Sequence, residues 1–426
     1  MKQIIYEIKS QPLIAIVTVV GTSLAIFLIM IAVMLQQVKV MPIAPENDRD
    51  RMLYVSRVNI LSADRSSMNA SSSLSYQAAN ELTTDLDGVE AVAVMQNNAN
   101  SSLLAAPGKP SFFADVREAD QGIFDVYDLI FIEGKPFTEA DVNSGLRKAV
   151  ITEAVAREAF GSSEAAVGQT LEINDVPYAV TGVIENVSPI TDRAYSQVWI
   201  PLSTAYSDDF WAAQGMGSNT AAIKAQSSDR FGEISDEINR RAEIFSTRLS
   251  LNDDQIFDLE GGAKNQEGFF TTPGSDNSKM EKAKRQQWFL YFILLLIPAI
   301  NLSSMTRSRL RRRTGEIGVR RAFGCTRGRV IYDILLENFI ITLAGGFIGL
   351  MACIIFGSLL FDAIYSAGFW SSFSAPVTVS FGSLLDWRMF AYALLFCFVL
   401  NLLSTGIPAW RASRVNPVDA INSRIR

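Results

Sequence analysis

The sequence predicts a membrane protein with four transmembrane α-helices, one near the N-terminus and three near the C-terminus, and an α+β extracytoplasmic domain of two lobes. Three observations predict it. Long apolar runs gather at the two ends of the 426-residue chain, raising its mean hydropathy to +0.18. Arginines cluster beside those runs, and the central ~250 residues are polar and acidic.

The first run, residues 13–35, carries no charge over 23 residues. A helix rising ~1.5 Å per residue crosses a ~30 Å hydrocarbon core in about 20 residues, so the run is long enough to span. A cleaved leader would have a shorter apolar stretch of ~7–15 residues followed by small residues. Here the run ends in Met34-Leu35-Gln36-Gln37. An uncleaved first span at 12–36, after a cytosolic segment 1–11, is therefore expected. Runs at 288–305, 339–361 and 389–410 place the other spans at 286–305, 331–361 and 388–410. A bundle tolerates the internal Pro298, Asn401 and Pro408, because neighbouring helices satisfy the freed backbone groups.

Orientation follows from basic residues. The loop 306–330 holds nine arginines: Arg307, Arg309, Arg311, Arg312, Arg313, Arg320, Arg321, Arg327 and Arg329. The tail 411–426 adds Arg411, Arg414, Arg424 and Arg426, and the N-terminus has Lys2 and Lys9. The positive-inside rule puts all three segments in the cytoplasm, against Lys282, Lys284 and Arg285 on the other side. Residues 37–285 and the loop 362–387 are then extracytoplasmic. Residues 36–285 carry 22 basic against 37 acidic residues, a net charge of −15. Cys325, Cys353 and Cys397 all lie outside this domain, so no disulfide staples it and its own core must hold it.

Within the outer domain Met52-Leu53-Tyr54-Val55 predicts a first strand in a Ser/Asn-rich stretch. Residues 75–85 have helical spacing and 89–95 strand character. Residues 124–132 form an apolar segment ending in a turn at Glu133-Gly134-Lys135-Pro136. Residues 148–151 predict a strand, with Thr152 capping a helix over 153–160 that Gly161 closes. Residues 171–173 and 178–183 predict a hairpin about Asn174-Asp175. Strands at 198–201 and 221–225 and a helix over 234–249 follow, whereas 253–279 has little apolar periodicity. The pattern predicts one α/β lobe with a mostly β lobe, about 122–210, inserted in it.

Catalytic chemistry is mostly excluded. With no histidine in the chain, histidine general bases, Ser-His-Asp triads and histidine-containing zinc sites are absent. There is no G-x-x-x-x-G-K-[ST] phosphate loop, so any ATP energy must come from another subunit. No catalytic residue, metal ligand or cofactor of this chain is expected, nor any nucleic-acid partner. Asp208-Asp209 and Asp253-Asp254 are ordinary solvated acids.

One loop rises above this background. In Gly315-Glu316-Ile317-Gly318-Val319-Arg320-Arg321-Ala322-Phe323-Gly324, apolar Ile317, Val319 and Phe323 sit in a strongly cationic loop, and Gly318 and Gly324 bracket a short helix. Holding orientation requires only arginine. A short helix with both charge and apolar side chains suits a groove on a partner. Gly345 and Gly349 form a G-x-x-x-G that permits close helix packing, including a dimer contact.

The same loop resembles the R-E-I-G-[IV]-R-[KR]-A-[LF]-G-A signature of the permeases of MacB-like and FtsX-like ABC transporters. The ending Pro408-Ala409-Trp410-Arg411-Ala412-Ser413-Arg414-Val415-Asn416-Pro417 is similar to that family's P-A-x-R-A-[AS]-R-[LV]-x-P. Gly134-Lys135-Pro136-Phe137-Thr138 and Val180-Thr181-Gly182-Val183 resemble its inserted lobe. Gly315, where many members have a basic residue, and Cys325, where alanine is usual, depart from the pattern. The resemblance implies porter-like and sabre-like lobes in the periplasm of an inner-membrane, multi-pass protein. It implies a permease dimer, homo- or heteromeric, in the lipid bilayer, bound to a cytosolic ABC ATPase that holds the ATP and magnesium. Glu316–Gly324 would be the coupling helix, with Arg411, Arg414 and Pro417 contacting the ATPase from the tail. A periplasmic adaptor and outer-membrane channel would serve an exporter. Work on an extracytoplasmic substrate, by mechanotransmission, would drive efflux or extraction. Lipoprotein release or FtsX-like envelope regulation is the alternative, and a membrane-anchored sensor or scaffold without transport is a third reading.

Overall fold

A computed structural model describes residues 12–62, 64, 67–202, 214–253, 255–271 and 323–365, with 281, 282, 284–286, 288, 289, 292, 293, 296, 319, 390–392, 394, 395, 398, 399 and 402. Two compact units emerge. One holds the first helix up to Gln37 with Arg285–Leu360 and Phe381–Arg426, and the other holds Val38–Lys284 with Phe361–Ser380.

In the first unit, α1 spans Pro12–Val40, four residues past the expected end of the first span. Its stretch Val19–Val40 is long and apolar enough to cross a membrane. It is the one such helix among the described residues, with a shorter apolar stretch at Leu343–Phe356. The expected spans 286–305 and 388–410 lie largely outside the described residues.

Among the described residues, the second unit, the outer domain, has fifteen strands. The first six are β1 (Met52–Val55), β2 (Arg57–Ser62), β3 (Met68–Leu74), β4 (Val89–Gln96), β5 (Asn100–Ala105) and β6 (Phe112–Ala119). Then come β7 (Phe131–Gly134), β8 (Lys148–Thr152), β9 (Thr170–Ile173), β10 (Val176–Ile184) and β11 (Val198–Pro201). The series closes with β12 (Met216–Gly217), β13 (Asn219–Ala225), β14 (Gln255–Leu259) and β15 (Lys264–Asn265). Six α-helices accompany them among the described residues: α2 (Tyr76–Thr83), α3 (Ile123–Val126), α4 (Glu139–Asn143), α5 (Glu153–Phe160), α6 (Phe231–Asp253) and α7 (Gln266–Thr271).

The first lobe is a β-sheet covered by α2 and α6. Along α6, Ile234, Ile238, Ala242, Phe245 and Leu249 recur at three- and four-residue spacing, which gives one apolar face. That face and Ala78, Ala79 and Leu82 of α2 bury Leu53, Val55, Val94, Ala221 and Ile223 of the sheet. Ser75 caps α2, its side chain accepting from the Ala78 amide at 3.1 Å.

The second lobe is a closed ring. Strands run β11-β8-β10-β9-β5-β6, and β6 pairs back onto β11. The β11–β6 and β10–β8 pairs are parallel, and the ring's remaining pairs are antiparallel. Closure leaves the ring no free edge, and its interior is filled by Leu104, Val116, Ile151, Leu171, Val180, Val198 and their neighbours. Thr152 caps α5 and Gly161 ends it at φ 91°. The β9–β10 hairpin turns through Asn174 and Asp175, both at positive φ as a tight hairpin requires.

Three segments differ from the sequence expectation. The inserted lobe, expected from about residue 122, takes two ring strands, β5 and β6, from before that point. Residues 124–132 do not form one apolar element: α3 is a single turn, and β7 follows across a bend. Gly134 permits β7 to lie against β10, since a Cβ there would fall 2.2 Å from the Thr181 carbonyl oxygen. Residues 253–279 contain β14, β15 and α7, too short to leave a period.

Burial alone pushes the Glu118 carboxyl up to about 7. Burial also pushes Asp120 up to about 7, against hydrogen bonds from the Val94 and Gly122 amides. An acid whose folded pKa exceeds its unfolded value binds more protons when folded, so stability falls as pH rises from about 4 to about 7. Thermal melting should therefore give a Tm on the order of 5 °C lower at pH 8 than at pH 5, and Glu118→Gln should narrow that gap. An unchanged gap in the variant would show that Glu118 is solvated.

Candidate functional site

Two places combine unusual chemistry with a position between segments: the turn before the long C-terminal helix, and a buried ionic junction in the outer domain.

Of the expected docking segment, Val319, Phe323 and Gly324 are described. Gly315, Glu316, Ile317, Gly318, Arg320, Arg321 and Ala322 lie outside the described residues, as do Arg411, Arg414 and Pro417 of the tail. The Phe323 amide donates to the Val319 carbonyl at 3.1 Å, a helical turn, and Gly324 follows at φ 91°, the left-handed conformation that ends helices. Thr326 then starts α8 (Arg327–Tyr365), its hydroxyl accepting from the Arg329 amide at 3.4 Å. Phe323 is 88% exposed and Val319 42%. An aromatic ring so exposed, four residues from a second apolar side chain, makes a small hydrophobic knob beside the cationic Arg327 and Arg329.

α8 also carries Gly345 and Gly349, which face α1 of the same chain. A Cβ on Gly345 would lie 2.7 Å from Thr22 Cβ, and one on Gly349 2.7 Å from the Ser23 carbonyl oxygen. Backbone therefore meets backbone along this seam, as small residues allow. Further along, Cys353 Sγ contacts Met34 Sδ at 3.8 Å.

The second place had no sequence signal. Glu46 and Arg49 are each 2% exposed, and Arg49 Nε meets Glu46 Oε2 at 2.7 Å. The same guanidinium donates through Nη1 to the carbonyls of Val38 (2.7 Å) and Met41 (3.0 Å), at the end of α1. Its Nη2 reaches the Ile190 carbonyl at 3.2 Å. The other carboxylate oxygen of Glu46 accepts from the Arg193 and Ala194 amides at 2.9 and 2.8 Å. The Arg193 guanidinium pairs with Asp192 and stands 5.0 Å over the Phe269 ring of α7, which in turn lies 4.9 Å from the Tyr54 ring. Gln266 donates to the Lys39 carbonyl at 3.1 Å, and β15 pairs with β1. The end of α1 and the loop 185–197 of the second lobe thus meet on one ion pair, with β15 and α7 packed beside it against Tyr54, Lys39 and Arg193.

The surroundings are electropositive. Arg117 is 1% exposed and donates to the Asp192 and Gln96 carbonyls at 2.9 and 3.2 Å. Burial, with Arg193 nearby, pulls its guanidinium down to about 10. At Arg193 burial opposes the charge, but Asp192 prevails and holds it above its ordinary value. Burial raises the Tyr54 and Tyr127 phenols, so both stay neutral. Charges this deep hold segments together; they are out of reach of solvent for acid–base chemistry.

Comparison with known proteins accounts for both units. A family model described as MacB-like periplasmic core domain matches residues 13–241, and one described as FtsX-like permease C-terminal matches 288–417. The ABC transporter permease YknZ of Bacillus subtilis is 22% identical over 345 residues, covering 79% of this chain and 77% of that protein. The macrolide export ATP-binding/permease protein MacB of Escherichia coli K12 is 24% identical over 319 residues, covering 72% of this chain. The match spans 44% of MacB's own length. The periplasmic region of MacB from Actinobacillus actinomycetemcomitans overlays on 50% of this chain and 91% of that structure, with 22% identity and a TM-score of 0.34. With one model covering more than half of the chain and the second most of the remainder, the chain belongs to the ABC transporter permeases with a MacB-like periplasmic core domain and an FtsX-like C-terminal region.

Proposed function

We propose that the chain is the permease subunit of a MacB-like transporter, with four spans in a 1 + 3 arrangement. It carries ATP-driven movement from a separate cytosolic ATPase to the periplasmic domain, where the movement drives efflux or extraction of a substrate. The chain works as a homo- or heterodimer of permeases in the inner membrane; an adaptor and outer-membrane channel complete the path of an exporter. The observation that carries the reading is the exposed Phe323–Val319 knob in an arginine-rich loop of a chain without a phosphate loop. Burying a side chain of phenylalanine size in a partner's groove is worth about 1.5–3 kcal/mol, enough for one residue to decide docking.

The test is capture of the ATPase from the native membrane. Tagged wild-type chain should co-purify an ATPase subunit, and Phe323→Asp should lower recovery about tenfold or more with an unchanged melting profile of the outer domain. Equal recovery by the variant, or no ATPase with either protein, would refute the reading.

A further inference from the structure

We propose that Glu46 is a positioning residue that hands a displacement of α1 to the inserted lobe. The inference rests on the transport reading above and adds the residues that carry the stroke inside the outer domain.

The last carbonyls of any α-helix lack intrahelical partners and attract cationic side chains. Arg49 satisfies this need twice at the end of α1, through the Val38 and Met41 carbonyls. An arginine gripping a helix end is ordinary; what Glu46 does with it is not. One oxygen of its carboxylate holds Arg49, and the other holds two consecutive amides, Arg193 and Ala194, 147 and 148 residues away in sequence. Arg49 itself reaches the same loop at the Ile190 carbonyl. That loop, 185–197, joins β10 to β11, two strands of the closed ring. A displacement of the α1 end therefore passes through Arg49 and Glu46 to the backbone on which the ring hangs.

Each step along this path is a charge-assisted hydrogen bond to a backbone group or the ion pair itself. Such bonds are short, directional and roughly twice as strong as neutral ones. The carboxylate has no water to exchange with, because it is 2% exposed. The segment leading out of the outer domain is tied to the end of α1 by Gln266 at the Lys39 carbonyl, and to β1 by the β15 pairing. The ends of the domain therefore move together and take the loop with them. A buried ion pair kept only for stability could be replaced by apolar side chains at little loss. Such a replacement would sever all the backbone contacts that Glu46 and Arg49 make.

This difference supplies the experiment. The full-length permease and its captured ATPase, reconstituted in nanodiscs, would carry spin labels at Glu158→Cys on α5 and Glu243→Cys on α6, both exposed positions on different lobes. The unmodified junction should show a distance change between labels on adding ATP. Glu46→Gln, which keeps the shape and loses the charge, should lose that change although ATP is still hydrolysed. Should Glu46→Gln fold poorly, Glu46→Gln combined with Arg49→Met removes the ion pair without leaving a lone charge, and it must show the same loss. If both variants move as the unmodified protein does, the ion pair is only structural; the inference fails and the transport reading survives. If ATP moves nothing even with the junction intact, the transport reading fails, and the inference with it.

Discussion

Arg49→Ala should destabilise the outer domain by about 3–5 kcal/mol, the cost of stripping one partner from a buried ion pair. The side chains of Arg49 and Glu46 are 1% and 0% exposed, so water cannot take over the lost contacts. The change leaves the carboxylate of Glu46 with two amide donors and no cation. It also takes the guanidinium donors away from three backbone carbonyls, those of Val38, Met41 and Ile190. For a domain of this size the loss corresponds to a fall in Tm on the order of 10 °C, readable by thermal unfolding of the full chain. A fall under about 2 °C would mean that the site relaxes to admit water, and the junction would lose its claim to rigidity.

Gly349→Leu should have the larger effect on the first unit. A Cβ at this position already falls 2.7 Å from the Ser23 carbonyl oxygen and 3.1 Å from Ile26 Cβ, so a leucine has no room without parting α8 from α1. Small residues let the two helix backbones approach this closely, and the packing depends on that closeness. The seam can be read chemically, because Cys353 and Met34 are in sulfur contact at 3.8 Å. Oxidation of a Met34→Cys variant should cross-link it to Cys353, and adding Gly349→Leu should abolish the cross-link. A cross-link that survives the leucine would place the two helices elsewhere.

The features legible in the sequence were those written in local chemistry. The α6 face declares itself in the spacing of Ile234, Ile238, Phe245 and Leu249; Thr152 and Gly161 mark both ends of α5; Asn174-Asp175 marks a hairpin. The ring closure was not legible, because β6 and β11 are parallel and separated by about 80 residues, and nothing near either strand names the other. The polar run Ser71-Ser72-Ser73 concealed β3, whose strand character comes from neighbours on both sides rather than from its own side chains. The junction escaped for the same reason: Glu46 and Arg49 look like two more charges in a polar stretch until residues 190–194 are brought against them. Phe323 and Val319 stand out in the sequence because an aromatic ring in a run of arginines has no local excuse, and the structure leaves both exposed.

The closed ring of the inserted lobe gives that lobe the mechanics of a hoop. In an open sheet, load applied to an outer strand unzips the ladder one bond at a time. In a hoop, load that enters through β10 or β11 passes to neighbours on both sides and meets itself around the circuit, so bonds share it side by side. Little of a stroke delivered to the loop 185–197 would be absorbed as distortion of the lobe. The lobe would travel whole, and its far surface would repeat the displacement imposed at its near end.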